Sequence, residues 1–296
     1  MKTLLVGNFG ARNVGDEMIL SSALETHKNV VVSTADSVFS QRFTEQSFET
    51  VEPFPTGISS CTHFLFNKKG MWKTLPATIN KIVLPGGGLF AIKNKAWWIW
   101  GMTIFGLHKM FPNVEIILES QGIDRPKNFF QRFILKQVLK RVNSITVRDQ
   151  ASADILRQYG TEAEVVGDAV ENNLQSSIFN LQSSNRKVSQ SKILLNACAP
   201  WKGTWPQADI YLAMTPEDAR WVESDFQGEI VFPETVSYTL EIFASAKTAI
   251  GQRLHFLILA HGMGANVQTL GEPYAEKVEA WCEGKKISNL QSSLRS

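Results

Sequence analysis

Arg253 and His255 stand two residues apart in the run Thr248-Ala-Ile-Gly-Gln-Arg-Leu-His-Phe-Leu-Ile-Leu-Ala260. An arginine can clamp a carboxylate or phosphate through two parallel hydrogen bonds. A histidine exchanges a proton near neutral pH. The pair therefore predicts an anionic substrate and acid–base chemistry. Thr248–Ile250 reads as a short apolar strand, Gly251 breaks it, and an apolar helix is expected from near Phe256. Leu254 points away between the two polar side chains, so both can face one cleft. A strand-to-helix junction is where open α/β sheets bind ligands.

Other strand ends carry polar or glycine-rich turns. The first strand runs into Gly7-Asn-Phe-Gly-Ala-Arg-Asn-Val-Gly-Asp-Glu17, and a helix follows. Its glycines permit close backbone approach, and the helix start offers free N–H groups. Asn13, Asp16 and Glu17 are candidates to bond sugar hydroxyls, and Asp16 could equally be a helix cap. Pro85-Gly-Gly-Gly-Leu-Phe90 places Gly86, Gly87 and Gly88 at a second strand end. Gln121 closes the next strand. Arg148 and Asp149 follow Ser144–Val147, and Asp149 suits a helix cap. A buried Arg148 would need an anion. Asp168 closes Val166-Gly-Asp-Ala169 as a turn or cleft residue. His27, His63, His108 and His261 have no evident partner and read as surface or core histidines.

The elements that must hold these residues alternate. Strands are expected at 3–6, 30–33, 81–84, 114–119, 144–147 and 164–166, with helices at 16–26, 94–111, 128–140 and 150–159. That order predicts a parallel sheet with helices on both faces. A polar stretch rich in Asn, Gln and Ser follows, and the pattern restarts with strands at 192–196, 209–213, 229–232, 248–250 and 266–269. Thr215-Pro-Glu-Asp218 has the form of a helix start. The reading is an α/β chain of two Rossmann-like doubly wound domains facing a cleft: a first domain at 1–171, a linker at 172–191, a second domain at 192–286, and a tail at 287–296.

Composition narrows the classes of function. The chain has 296 residues, 44% of them hydrophobic, enough for two cores. A net charge of +2 gives no reason to expect nucleic acid. Cys61, Cys198 and Cys282 lack metal-ligand spacing, so no metal is expected, and a reduced, cytoplasmic setting fits. The first apolar run is too short for a signal peptide, and none reaches the ~18 residues of a membrane span. Residues 96–107, Ala-Trp-Trp-Ile-Trp-Gly-Met-Thr-Ile-Phe-Gly-Leu, are unusually apolar and aromatic. They read first as a buried helix. Flanked by Lys93, Lys95 and Lys109, they also suit peripheral contact with the inner face of a membrane.

Taken in order, six short motifs resemble those of the polysaccharide pyruvyl transferases. They are Gly7-Asn-Phe-Gly-Ala-Arg-Asn-Val-Gly-Asp-Glu17, Pro85-Gly-Gly-Gly-Leu89, Gln121-Gly-Ile123, Val147-Arg-Asp-Gln-Ala-Ser152, Gly167-Asp-Ala169 and Gly251-Gln-Arg-Leu-His-Phe-Leu-Ile-Leu-Ala260. The resemblance implies a GT-B-like fold, phosphoenolpyruvate as co-substrate with no cofactor, and a sugar or lipid-linked oligosaccharide as acceptor. It implies Arg148, Arg253 and His255 as the catalytic and donor-binding residues, with Gln252 beside them. Asn13, Asp16, Glu17, Gly86, Gly87, Gly88 and Gln121 fall on the acceptor side. The chain departs from the family pattern where Gln252 replaces Met and where Asp124-Arg125-Pro126 replaces Gly-Pro. It also has little room for a helix within 199–208.

Phosphoenolpyruvate bears a phosphate and a carboxylate, so the expectation is two arginine clamps, with His255 moving a proton or stabilising the departing phosphate. Two other readings share the fold. A nucleotide-sugar glycosyltransferase would need a base and ribose site, for which Glu272 is the one acidic candidate. A non-catalytic relative would need no donor, which the joint presence of Arg148, Arg253 and His255 argues against.

Overall fold

The computed structural model describes residues 1–54, 75–90, 94–172, 174, 189–198, 205–222, 226–271 and 276–289. Cys61, His63, Lys93, Glu272 and most of the polar stretch before residue 189 lie outside them. The chain divides into two compact units. The first comprises residues 1–11, 19–40 and 47–169, and the second residues 12–18, 41–46 and 170–296.

Seven parallel strands form the first sheet: β1 (Lys2–Val6), β2 (Val30–Ser33), β3 (Glu49–Val51), β4 (Ile79–Pro85), β5 (Glu115–Gln121), β6 (Ser144–Val147) and β7 (Glu164–Val165). Their spatial order is β3-β2-β1-β4-β5-β6-β7. The central strands are fully buried runs such as Leu4-Leu5 and Ile82-Val83-Leu84, as expected for a sheet covered on both faces. The helices are α1 (Val14–Thr26), α2 (Ser37–Thr44), α3 (Asn94–Met110), α4 (Phe129–Leu139) and α5 (Gln150–Arg157). The order in which successive strands are added reverses between β1 and β4. That is a topological switch point, and the loops after both strands border it.

Local chemistry fixes several ends. Asn128 caps α4 by accepting from the Gln131 N–H at 3.0 Å. Asp149 caps α5 by accepting from the Ser152 N–H at 2.8 Å, as its position predicted. α3 buries one face, with Trp97, Gly101, Ile104 and Leu107 inward, and packs on α4, where a Cβ at Gly101 would lie 2.7 Å from Ile134. Trp98, Ile99 and Trp100 are only half-buried, so the helix is not enclosed all round. No described helix is long and apolar enough to cross a membrane.

Six parallel strands form the second sheet: β8 (Lys192–Asn196), β9 (Ile210–Leu212), β10 (Glu229–Val231), β11 (Ala246–Gly251), β12 (Asn266–Thr269) and β13 (Ser288–Asn289). The order β10-β9-β8-β11-β12-β13 puts a second switch point between β8 and β11. The helices α6 (Val236–Ala244), α7 (Leu254–Gly262) and α8 (Glu276–Lys285) belong to this unit. The elements that periodicity did not announce are the helices α2, α6 and α8 and the strands β3 and β13. Both strands are outer edges of two or three residues, too short to show a pattern. The expected helix after Thr215 is a single 3-10 turn, Asp218–Trp221, whose first residue Asp218 turns inward instead of serving the helix end.

Candidate functional site

In the second unit, the ends of β8, β9 and β11 meet around one buried carboxylate. Asp218 is fully buried. Its Oδ2 accepts from the Met214 N–H at 3.1 Å and the Thr215 N–H at 3.2 Å. The Thr215 hydroxyl donates to Oδ1 at 3.0 Å. Arg253 donates from Nε to Oδ2 at 2.6 Å and from Nη2 to Oδ1, and Nη2 also reaches the Thr215 hydroxyl at 3.1 Å. This is a fork-to-fork pair, which sets the plane of the guanidinium. Asn196 ties the same end together. Its Nδ2 donates to the Leu212 carbonyl at 2.9 Å, and its Oδ1 accepts from the Arg253 N–H at 3.2 Å. That last bond spans the β8/β11 switch point.

Burial works to lower the Arg253 pKa, but the hydrogen bonds and charge of Asp218, with a smaller contribution from Asp16, more than offset it, and the pKa is raised. The side chain keeps 28% of its surface exposed, against 1% for Asp218. Nη1 makes no hydrogen bond among the described residues. The arginine is therefore anchored along one edge and open on the other. Tyr211 supports the hub from below: its hydroxyl lies 3.0 Å from the Ala197 carbonyl and 2.9 Å from that of Asp218. Burial holds its phenol protonated well above the usual range.

Arg253 is the N-cap of α7, with extended backbone and no side-chain cap bond. His255 lies in the first turn, half-buried. Residues 12–18 belong to this unit, and they bring the expected Asn13, Asp16 and Glu17 to the same place as His255 and Arg253. A Cβ on Gly15 would lie 2.2 Å from the His255 Nδ1, so the imidazole rests against bare backbone there. Asn13 Oδ1 accepts from the Gly15 N–H at 3.0 Å. Asn13 and Asp16 are half-buried, whereas Glu17 is fully buried. Gln252 takes a structural position: Oε1 accepts from the Cys198 N–H at 2.9 Å, and Nε2 donates to the Leu270 carbonyl at 3.3 Å. It clips the ends of β8 and β12 together.

The first unit gathers the other expected residues. Arg148 is buried, with 5% side-chain exposure. Its Nε reaches Asp149 at 3.3 Å and its Nη1 faces Asp168 at 3.5 Å. The guanidinium lies against Gly122, where a Cβ would sit 2.1 Å from Nη2. Asp168 is thus a buried counter-ion, beyond the turn residue its sequence suggested. A bulge in β5 at Ser120, whose φ is +53°, shifts the register against β6 and re-aims Gln121. Gln121 is fully buried, and its Nε2 faces the carbonyls of Leu84, Gly86 and Glu119 at 2.8, 3.0 and 3.1 Å. Gly86 and Gly87 both take positive φ, so turn geometry alone requires two of the three glycines. The Gly87 carbonyl accepts from Gly122 at 2.9 Å. Gln121 Oε1 and Arg148 Nη1 are buried without a hydrogen-bond partner among the described residues.

Asp218 and Asn196 are the residues that sequence reading missed. Asp218 carried a helix-start reading, and Asn196 was only a strand end. His27 also has a partner that its sequence neighbours do not reveal, with Nε2 2.9 Å from Glu119 Oε2. No group of three His, Cys, Asp or Glu among the described residues could hold a metal.

Comparison with known proteins gives three findings. A sequence profile described as polysaccharide pyruvyl transferase matches residues 13–267. No curated protein matches. Among solved structures, UDP-GlcNAc 2-epimerase from Methanocaldococcus jannaschii is 11% identical, with a TM-score of 0.61, 97% of this chain and 88% of that one covered. UDP-GlcNAc 2-epimerase from Neisseria meningitidis, bound to UDP-GlcNAc, is 12% identical, with a TM-score of 0.59 and coverage of 98% and 87%. At such identities the likeness concerns the fold, the two-domain α/β type of the GT-B-like proteins.

Proposed function

Because the chain belongs to the polysaccharide pyruvyl transferase family, we propose that it transfers pyruvate from phosphoenolpyruvate to two hydroxyls of a sugar, forming a pyruvate ketal in the building of a cell-surface polysaccharide. The observation that carries this reading is Arg253, fixed by Asp218 and Thr215 with Nη1 left available, two residues from His255. A guanidinium held in plane recognises an anion without losing rotamer freedom on binding.

The chemistry asks for an anion site and a proton. Arg253 holds one anionic group of phosphoenolpyruvate, and the N–H groups of the first turn of α7 are donors beside it. A proton delivered to the methylene carbon makes a methyl group and leaves C2 electron-poor. One sugar hydroxyl adds at C2, the C2–O bond to phosphate breaks, and the second hydroxyl closes the ketal. The two hydroxyl protons balance the one taken up by the methylene and the one leaving with phosphate. His255 moves the proton at the donor. Arg148 is the second candidate for the donor's anions. A ligand oxygen would replace Asp168, whose 3.5 Å contact is a loose one. Asn13, Asp16, Gln121 and the Gly86–Gly88 turn are proposed for the acceptor. Gln252 acts on the donor side by holding the ends of β8 and β12 together beside Arg253.

The test is incubation with phosphoenolpyruvate and a panel of lipid-linked and aryl-glycoside sugars, scoring phosphate release together with the mass gain of a pyruvyl ketal. Both signals are expected in the same tube, and both are expected to vanish in His255→Ala. Thermal-shift titration with phosphoenolpyruvate and with UDP-sugars separates this reading from a nucleotide-sugar transferase. Stabilisation by the UDP-sugar alone would overturn it.

A further inference from the structure

The outer face of α4 is apolar and basic at once. Phe129 is 82% exposed and Phe133 47% exposed, one turn apart on the same side of the helix. Arg132, Lys136 and Lys140 are exposed at the positions between and beyond them. The start of α3 is tied to the start of α4: Asn94 Oδ1 accepts from Asn128 Nδ2 and from Gln131 Nε2, each at 2.9 Å. That places the exposed Lys95 beside the same end. Trp98 extends the aromatic surface by stacking on Phe130, ring centroids 6.1 Å apart. None of Lys95, Arg132, Lys136 or Lys140 makes an ion pair among the described residues. From 125 to 143 the sequence has no acidic residue, and from 89 to 114 it has none either, in a chain whose net charge is only +2.

Two bare phenyl rings on a surface helix are disfavoured in water unless something covers them. The charge pattern selects what does. A second copy of this chain would bring the same cations to a two-fold interface and repel them. A partner that is anionic at its surface and apolar just beneath satisfies both halves of the pattern, and an anionic lipid bilayer has that layering. Basic residues around inward-facing Phe are the signature of a helix lying in the headgroup region.

We propose that the first unit docks on anionic membrane surfaces through Phe129 and Phe133, with Lys95, Arg132, Lys136 and Lys140 engaging the lipid headgroups. The contact differs from the one expected of residues 96–107. Trp97 is buried in the core, and the membrane-facing aromatic residues come from the following helix. α3 and α4 begin where β4 and β5 end, so docking would hold the Gly86–Gly88 turn and Gln121 on the membrane side of the sheet, where a lipid-linked substrate presents its sugar. The docking itself does not depend on the transferase reading.

Vesicle flotation of the full chain tests it. Vesicles of phosphatidylcholine with phosphatidylglycerol are expected to carry the protein, and pure phosphatidylcholine vesicles to carry far less. Phe129→Ser with Phe133→Ser is expected to lower the partition coefficient about tenfold or more. Arg132→Gln with Lys136→Gln is expected to lower it at least about tenfold and to remove the dependence on anionic lipid. All four side chains are exposed, so thermal unfolding of both variants should match the parent. Equal recovery on both vesicle types, or recovery unchanged in both variants, would overturn the proposal. So would a dimer in sedimentation that the phenylalanine variant abolishes, or binding of RNA in preference to vesicles.

Discussion

Arg148 and Arg253 occupy the same formal place in their two sheets, just beyond the carboxyl end of a strand, yet they are held in opposite ways. Arg148 is closed in. Its guanidinium lies on the bare backbone of Gly122, and two carboxylates stand at 3.3 and 3.5 Å, neither in tight bidentate geometry. Arg253 is held at close range by a single carboxylate that is itself fixed by Met214, Thr215 and Asn196, and its Nη1 makes no hydrogen bond among the described residues. Burial without a tight partner makes a charge a liability to be neutralised. A tight partner on one side only makes it a positioned tool.

The strongest way to break that contrast is to remove the anchor. Asp218→Ala would leave Arg253 half-buried without its counter-charge and strip acceptors from two backbone N–H groups. Loss of about 3–5 kcal/mol is expected in the urea transition of the second unit, with pyruvyl transfer abolished. Next is Arg253→Lys, which keeps the charge but not the fork. It is expected to lower kcat/KM for phosphoenolpyruvate about a hundredfold, read by steady-state phosphate release, and to cost less stability than Asp218→Ala because a positive charge still faces the buried carboxylate. The matching change Arg148→Lys sharpens the comparison. Its expected effect on KM for phosphoenolpyruvate is smaller, about tenfold, with a measurable fall in the stability of the first unit. An equal loss in both lysine variants would mean that the two arginines are held alike.

The smallest effect is alkaline. Burial raises the Cys282 thiol to about 11 from its ordinary 9.0. The folded state therefore keeps a proton that the unfolded chain releases, so this contribution is intact below pH 9 and is lost as pH rises from 9 towards 11. Between pH 8 and 10 it should weaken the second unit by about 1 kcal/mol, a slope that Cys282→Ala removes. Urea midpoints at the two pH values measure it, against the first unit as internal reference.

The alternation of strands and helices was legible because buried parallel strands are short apolar runs with glycine and polar punctuation. Edges such as β3 and β13 carry too few residues to be seen. Arg253 and His255 were legible because their relation is local, two residues on one turn. Asp218 was not, since it lies 35 residues from Arg253 and its immediate neighbours Thr215 and Pro216 imitate a helix start. Gln121 and Gln252 show the converse. Their strand-end positions were legible but their neighbours were not: the Gln121 amide nitrogen meets the carbonyls of Leu84, Gly86 and Glu119, and Gln252 meets the Cys198 N–H and the Leu270 carbonyl. Arg148 was found by position, while its pairing with Asp168 spans 20 residues of sequence that give no hint of contact.

The open Nη1 edge of Arg253 also limits what the second unit can discriminate. Two nitrogens read the spacing and tilt of two oxygens, so they tell a flat carboxylate from a tetrahedral phosphate. One nitrogen reads only that an oxygen is there. Selectivity at this position must then come from the walls and from whatever binds the rest of the molecule. Under the proposed reaction, a small tetrahedral oxyanion is expected to enter freely and phosphate to compete with the donor, which would make product clearance part of the turnover rate.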